Sequence, residues 1–243
     1  MTNREDLTVP TRVLAFGAHA DDVEFGCGAT LAKWAAGGAE VHLCVMTDGS
    51  KGSWEPGTDL TELVALRRHE QQLAADVLGA KAVHFLEFVD GELEHRVEHR
   101  AALSDVIREV RPDVVLGHDP WKRYRLHPDH RAAGHLTISA IVAARDPHFF
   151  PGRGEPHRPT TLLLFEPEEI DHLEDVTHHL DHKIEALLTH KSQWKSTMRI
   201  DESSSSSEAQ VVAFKSRIEE EATAAAEGSS LRYAEAFKKV EPL

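Results

Sequence analysis

The sequence predicts an α/β protein with a Rossmann-like, mainly parallel sheet and helices on both faces. Three observations lead there. Short apolar runs recur up to Phe165, each bounded by turn residues, and stretches with apolar residues at helical spacing separate them. The polar clusters fall just after those runs, at the carboxyl ends of the strands, where open sheets of this kind bind ligands.

Taken in order, Arg12 to Gly17 and Glu40 to Met46 read as buried strands, and Gly28 to Gly37 between them reads as a helix ending at a Gly-Gly pair suited to a C-cap. The alternation continues with a helix around Asp59 to Leu78, a strand at Ala82 to Leu86, a helix around Glu98 to Val110 and a strand at Asp113 to Gly117. A loop, a helix from about Pro128 to Ala144 and a strand at Thr160 to Phe165 follow. Past Pro167 the pattern turns helical, about Val176 to Trp194 and then about Glu208 to Glu227, around a five-serine run, Ser203 to Ser207, that reads as a flexible loop. The expectation is one domain over residues 1–243, with a core at about 10–170 and the C-terminal helices of 171–243 as an appendage on the sheet or on a partner subunit.

Composition narrows the function. At 41% apolar and 28% charged the chain is ordinarily globular, and no run approaches the roughly 18 to 20 apolar residues of a membrane span. The N-terminal residues Met1 to Asp6 carry acids early and lack a signal core of about 7 to 15 apolar residues, so the expected location is cytoplasmic. A formal charge of −14, without a Lys/Arg stripe interleaved with aromatics, argues against nucleic acid as partner. Cys27 and Cys44 show no C-x-x-C spacing and read as reduced core thiols. The 17 histidines raise the number of accidental pairs, so their abundance alone establishes nothing.

Two clusters carry chemistry. Gly17-Ala18-His19-Ala20-Asp21-Asp22-Val23-Glu24 follows the first strand, so that His19 and Asp22 can face a metal while Asp21 reaches a water; the plain alternative is that Asp21 or Asp22 caps the next helix. Leu126-His127-Pro128-Asp129-His130 precedes a helix, and Pro128 at its first position makes His127 the N-cap with His130 near the same mouth. Here the plain alternative is a surface helix start in a His-rich chain, and Asp129 can fix the tautomer of one ring. Together the clusters offer two histidines and an aspartate with a coordination position left open, the set of a catalytic zinc site, which also suits non-haem iron.

With those motifs in hand, the chain resembles the PIG-L-type (LmbE-like) zinc-dependent de-N-acetylases. The family's A-H-P-D-D-x-E is matched by Ala18 to Glu24 and its H-P-D-H by His127 to His130. The likeness continues through Thr47 to Gly52, Arg67-Arg68-His69-Glu70, Leu78-Gly79, Pro112 to Val115, His190 to Gln193 and Tyr233 to Phe237. It implies zinc, with Fe2+ or another divalent metal as substitute, on His19, Asp22 and His130. It further implies Asp21 as general base, protonated His127 as oxyanion stabiliser oriented by Asp129, and Arg68 as a substrate-facing cation, with adjacent Arg67 as the alternative to Arg68. The implied reaction removes an N-acetyl group from an N-acetylglucosamine-containing small molecule or oligosaccharide, and the implied assembly is a homo-oligomer, trimer or hexamer.

Two departures stand out. Ala20 replaces the motif's proline, which frees the backbone without removing a ligand. Arg125 stands where some members carry tyrosine, with Tyr124 one residue earlier. His118 and the group His178, His179 and His182 match no ligand pattern and read as surface or packing residues. Substrate choice is expected from loops Ser53 to Leu60 and Lys122 to Leu126, where Trp54 and neighbouring Trp121 can stack on a sugar or cover the core. A dinucleotide-binding reading fails because Gly17 to Asp22 is not G-x-G-x-x-G and two carboxylates would repel a pyrophosphate. An amidase acting on a thiol conjugate and a non-catalytic metal-binding protein are the remaining alternatives, the latter opposed by the presence of both Asp21 and His127.

Overall fold

The computed structural model describes residues 6–243, so the reading of Met1 to Glu5 lies outside the described residues. Among the described residues seven strands form one sheet in the order β3-β2-β1-β4-β5-β7-β6, in which β6 is His172–Asp175 and β7 is Ala234–Val240. The first five are β1 (Arg12–Gly17), β2 (Glu40–Thr47), β3 (Ala82–Phe88), β4 (Val114–His118) and β5 (Thr161–Phe165), all parallel to one another. Helices α1 (Asp22–Ala36), α2 (Leu60–Leu78), α3 (Val97–Val110) and α4 (Pro128–Arg145) connect or flank them.

The period of two along each strand sorts the core into two layers. Leu14 and Phe16 of β1 point into one, against Leu103 and Ile107 of α3 and Leu136 and Ile141 of α4. Val13 and Ala15 point into the other, against Val23, Leu31 and Trp34 of α1. Both faces are therefore covered, as parallel strands with near-continuous apolar sequences require. Cys27 and Cys44 are buried and free.

The C-terminal third corrects the sequence expectation of an all-helical appendage. β6 (His172–Asp175) and β7 (Ala234–Val240) extend the sheet, with β7 antiparallel to both β5 and β6. The helix expected over Val176 to Trp194 is shorter, α5 (Leu180–Thr189), and continues as a 3-10 turn and a π turn to Met198. α6 (Ser207–Ala225) follows the serine run and packs through Phe214 and Ile218 onto Leu180, Ile184 and Leu187 of α5.

Helix ends position the site. Asp59 accepts from the backbone N–H of Thr61 and Glu62 at the start of α2, and Gly79 ends that helix in the left-handed region at φ 72°. α1 begins six residues earlier than the apolar spacing indicated and is broken at Cys27, at φ −154°. Behind the break, Ala29 and Thr30 donate their N–H groups to Glu235 of β7, while Lys183 of α5 donates to the carbonyl of Phe25 and to Glu235. A side chain at Gly26 would meet the Phe165 ring at 2.4 Å, so glycine lets the first turn of α1 press against β5.

Candidate active site

The carboxyl ends of β1, β3 and β4 and the N-termini of α1 and α4 bring both motif clusters to one cavity of about 490 Å³. His19, Asp21, Asp22, His127 and His130 all line it.

Asp22 is the hub. Its carboxylate lies 3.2 Å from His130 Nε2, 3.2 Å from His118 Nε2 and 3.4 Å from His19 Nδ1, and it accepts from the His19 N–H at 2.8 Å. Burial pushes the group upward, but His130 and His118 beside it hold it well below the usual carboxylate range.

His19 is oriented from its far side. Its Nε2 faces Asp129 at 3.2 Å and Asp90 at 3.1 Å. Asp129 accepts from the N–H of Gly91 and of Leu93 and has no exposed surface, so its carboxylate is fixed. An Nε2–H shared with these carboxylates leaves the Nδ1 lone pair pointing toward Asp22, the arrangement of a metal-ligating histidine with a carboxylate behind it. Burial opposes a charge on His19, yet Asp129, Asp22 and Asp90 hold the imidazole well above its usual range. The same field that retains a proton there would retain a divalent cation, so the donor set of His19, Asp22 and His130 fits a metal. Three groups of donor atoms among the described residues lie within 4.8 Å of one another: His19 with His127 and His130, Asp22 with His118 and His130, and His19 with Asp90 and Asp129.

Asp129 thus corrects one expectation: its carboxylate orients His19 rather than His127. Its link to His127 runs through the backbone, the Asp129 N–H donating to His127 Nδ1 at 3.3 Å, which makes His127 the expected N-cap of α4. That bond leaves Nε2–H as the donor of a neutral ring, and burial with His19 and His130 nearby holds His127 below the usual imidazole range.

Asp21 turns a different way from its neighbour. It occupies the N-cap position of α1 in the left-handed region, at φ 89°, and its side chain makes no cap hydrogen bond. The helix-cap alternative therefore does not account for it. Burial pushes its carboxyl up to about 7, with Arg67 opposing and Asp22 adding to the rise.

Several residues fall elsewhere than expected. Arg68 lies outside the cavity, its guanidinium against Glu87 and 4.5 Å from the Phe85 ring centroid. Arg67 lines the cavity instead, 4% exposed, donating to the carbonyls of Gly49 and Ala20 and lying 4.0 Å from Asp21. On an amphipathic helix, adjacent residues point about 100° apart, and spacing against the apolar face did not separate these two. Trp54 lines the cavity, whereas Trp121 and Tyr124 are exposed outside its wall.

His118 is a correction of the opposite kind, because it is buried within the site and stacks on His130 with ring centroids 4.5 Å apart. Arg125 Nη1 lies 2.9 Å from His118 Nδ1, and a guanidinium only donates, so Nε2–H points at Asp22. Arg125 is held in turn by Glu166 at 2.6 Å. The signal was present: His118 ends β4, at the strand end where ligands are expected. Asp90, in the loop after β3, was missed for the same reason.

Comparison with known proteins shows the family and the fold. The family model described as GlcNAc-PI de-N-acetylase (PIG-L) matches residues 14–141. The chain is 35% identical to diacetylchitobiose deacetylase of Thermococcus kodakarensis over 189 residues, covering 75% of this chain and 70% of that protein. It is 31% identical to the 1D-myo-inositol 2-acetamido-2-deoxy-alpha-D-glucopyranoside deacetylase of Kineococcus radiotolerans, over 59% of this chain and 48% of that one. The solved N,N'-diacetylchitobiose deacetylase of Pyrococcus horikoshii superposes with a TM-score of 0.83 at 28% identity, over 96% of this chain and 84% of the other.

Proposed function

The chain belongs to the PIG-L (GlcNAc-PI de-N-acetylase) family, and from that premise we propose that it hydrolyses the N-acetyl amide of an N-acetylglucosamine-containing small molecule or oligosaccharide. The observation that carries the mechanism is the divergence of two adjacent carboxylates. Asp22 is engaged by His19, His118 and His130, while Asp21 faces the same cavity without a histidine partner in hydrogen-bond reach among the described residues.

In this reading His19, Asp22 and His130 hold a divalent ion, zinc or in its place ferrous iron, which when bound supplies Lewis acidity toward the acyl carbonyl and the attacking water. Asp21 takes the proton that the water releases as its oxygen bonds to the acyl carbon. His127 donates Nε2–H to the carbonyl oxygen as negative charge develops there. When the C–N bond breaks, Asp21 returns its proton to the departing amine, and acetate remains as the second product. Asp129 and Asp90 keep His19 in one tautomer, and Arg125 does so for His118.

The likeness to diacetylchitobiose deacetylases supports an oligosaccharide substrate, and the likeness to the myo-inositol conjugate deacetylases supports a soluble GlcNAc conjugate. Assembly as a homo-oligomer belongs to the same proposal and is read by light scattering after gel filtration. No helix among the described residues is long and apolar enough to cross a membrane.

The test is free-amine release from N-acetylglucosamine, diacetylchitobiose and a GlcNAc-inositol conjugate. Release that is lost with chelator and in Asp21→Ala supports the reading. No release from any of the three by protein holding one metal per chain would overturn it.

A further inference from the structure

The left-handed conformation of Asp21 needs an external hold, because its own side chain makes no cap bond and Ala20 before it leaves the backbone free. That hold comes from α2. The Ala20 carbonyl accepts from Arg67 Nη2 at 2.9 Å, and the Asp21 N–H donates to Gln71 Oε1 at 3.1 Å. These are the two ends of one peptide group.

The carbonyl and N–H of a trans peptide point in opposite directions, and residues four apart on a helix share a face one turn apart. Arg67 and Gln71 therefore grip the group at both ends and fix its plane, which sets the direction in which the Asp21 side chain leaves the backbone. Gln71 has no freedom to turn over, since its Nε2 donates to Glu24 Oε1 at 2.6 Å on the first turn of α1. Gln71 is 1% exposed and Glu24 fully buried, and Gln71 is not part of the cavity wall, so it does not meet substrate.

We infer that Gln71 is a positioning residue for Asp21, clamping with Arg67 the peptide group between residues 20 and 21. The inference rests on Asp21 being the base of the proposed reaction.

Gln71→Met keeps the length of the side chain and removes both bonds. It is expected to lower kcat roughly 10- to 100-fold with KM and zinc affinity changed by less than about twofold, and to add nothing in an Asp21→Ala background. The exchange Gln71→Glu with Glu24→Gln rebuilds both bonds, the glutamate accepting from the Asp21 N–H and from the new amide. It should return kcat to within about fivefold of the parent.

An unchanged kcat in Gln71→Met, or an equal loss in the Asp21→Ala background, overturns the clamp. If Gln71→Met does not fold, the exchange decides: kcat near the parent supports the clamp, and a loss beyond roughly tenfold overturns it. Full activity in Asp21→Ala overturns the assignment of the base and this inference with it. Loss in Asp21→Ala with none in Gln71→Met overturns the clamp alone.

Discussion

Two buried polar clusters lie along the first helix, one at its N-terminus and one at its break, and they are built on different terms. Behind the break in α1, Glu235 accepts from two backbone N–H groups and from Lys183, which also satisfies the carbonyl of Phe25. Each formal charge there has an opposite partner in the protein. At the front, His19 is pressed by three carboxylates and Asp22 by three histidines, so protons are shared among groups with conflicting demands. A settled network fixes a fold, whereas an unsettled one is a place for a cation and for moving protons. The contrast separates stability from turnover.

The largest effect should come from the front. Asp21→Ala is expected to lower kcat by about 10² to 10⁴ without lowering the unfolding midpoint, since it removes a buried carboxyl from a strained position. A fall in both by urea titration and amine-release kinetics would erase the contrast. At the rear, Lys183→Met leaves Glu235 buried without its cation and should cost about 3 to 5 kcal/mol in urea unfolding. The folded fraction should keep kcat within about threefold, because Lys183 touches none of the reacting groups.

Arg125→Met sharpens the front further. Without its guanidinium the His118 tautomer is no longer fixed, and metal affinity measured by competition with a chelator should fall about 10- to 100-fold.

A second rear cluster offers a smaller, pH-dependent effect. Burial pushes the Glu174 carboxyl up, but His172 and Lys33 beside it hold it below the usual range. A depressed carboxyl contributes stability that is complete above the ordinary glutamate range and is lost as the pH falls through its lower folded value. Unfolding free energy followed by urea titration should therefore drop on acidification, and Glu174→Gln should flatten that slope. The smallest effect is expected of Arg68→Ala, whose exposed pair with Glu87 should leave kcat/KM within about twofold.

The same contrast explains what could be read from the sequence. His19, Asp21, Asp22, His127 and His130 were legible because short spacing at strand and helix ends places them, and the structure brings all five to one cavity. The five parallel strands were legible because both of their faces are apolar. β6 and β7 were not, because each carries a buried glutamate whose cation lies far away in sequence: Lys33 is 141 residues from Glu174 and Lys183 is 52 from Glu235. Read locally, such residues look like solvent-facing charges. His118 and Asp90 stand at or just past strand ends, where a signal was present, but their partners, like that of Asp129, come from elements far apart in sequence. Arg67 and Arg68 differ only in direction around a helix, which the packing of α2 decides.

In the proposed reaction the front cluster holds one divalent cation on His19, Asp22 and His130. Anomalous diffraction at the zinc edge from zinc-soaked crystals tests it most directly. A single strong peak is expected within coordination distance of His19 Nδ1, an Asp22 oxygen and His130 Nε2, absent in His130→Ala. No peak, or one seated instead among His19, Asp90 and Asp129, would contradict it.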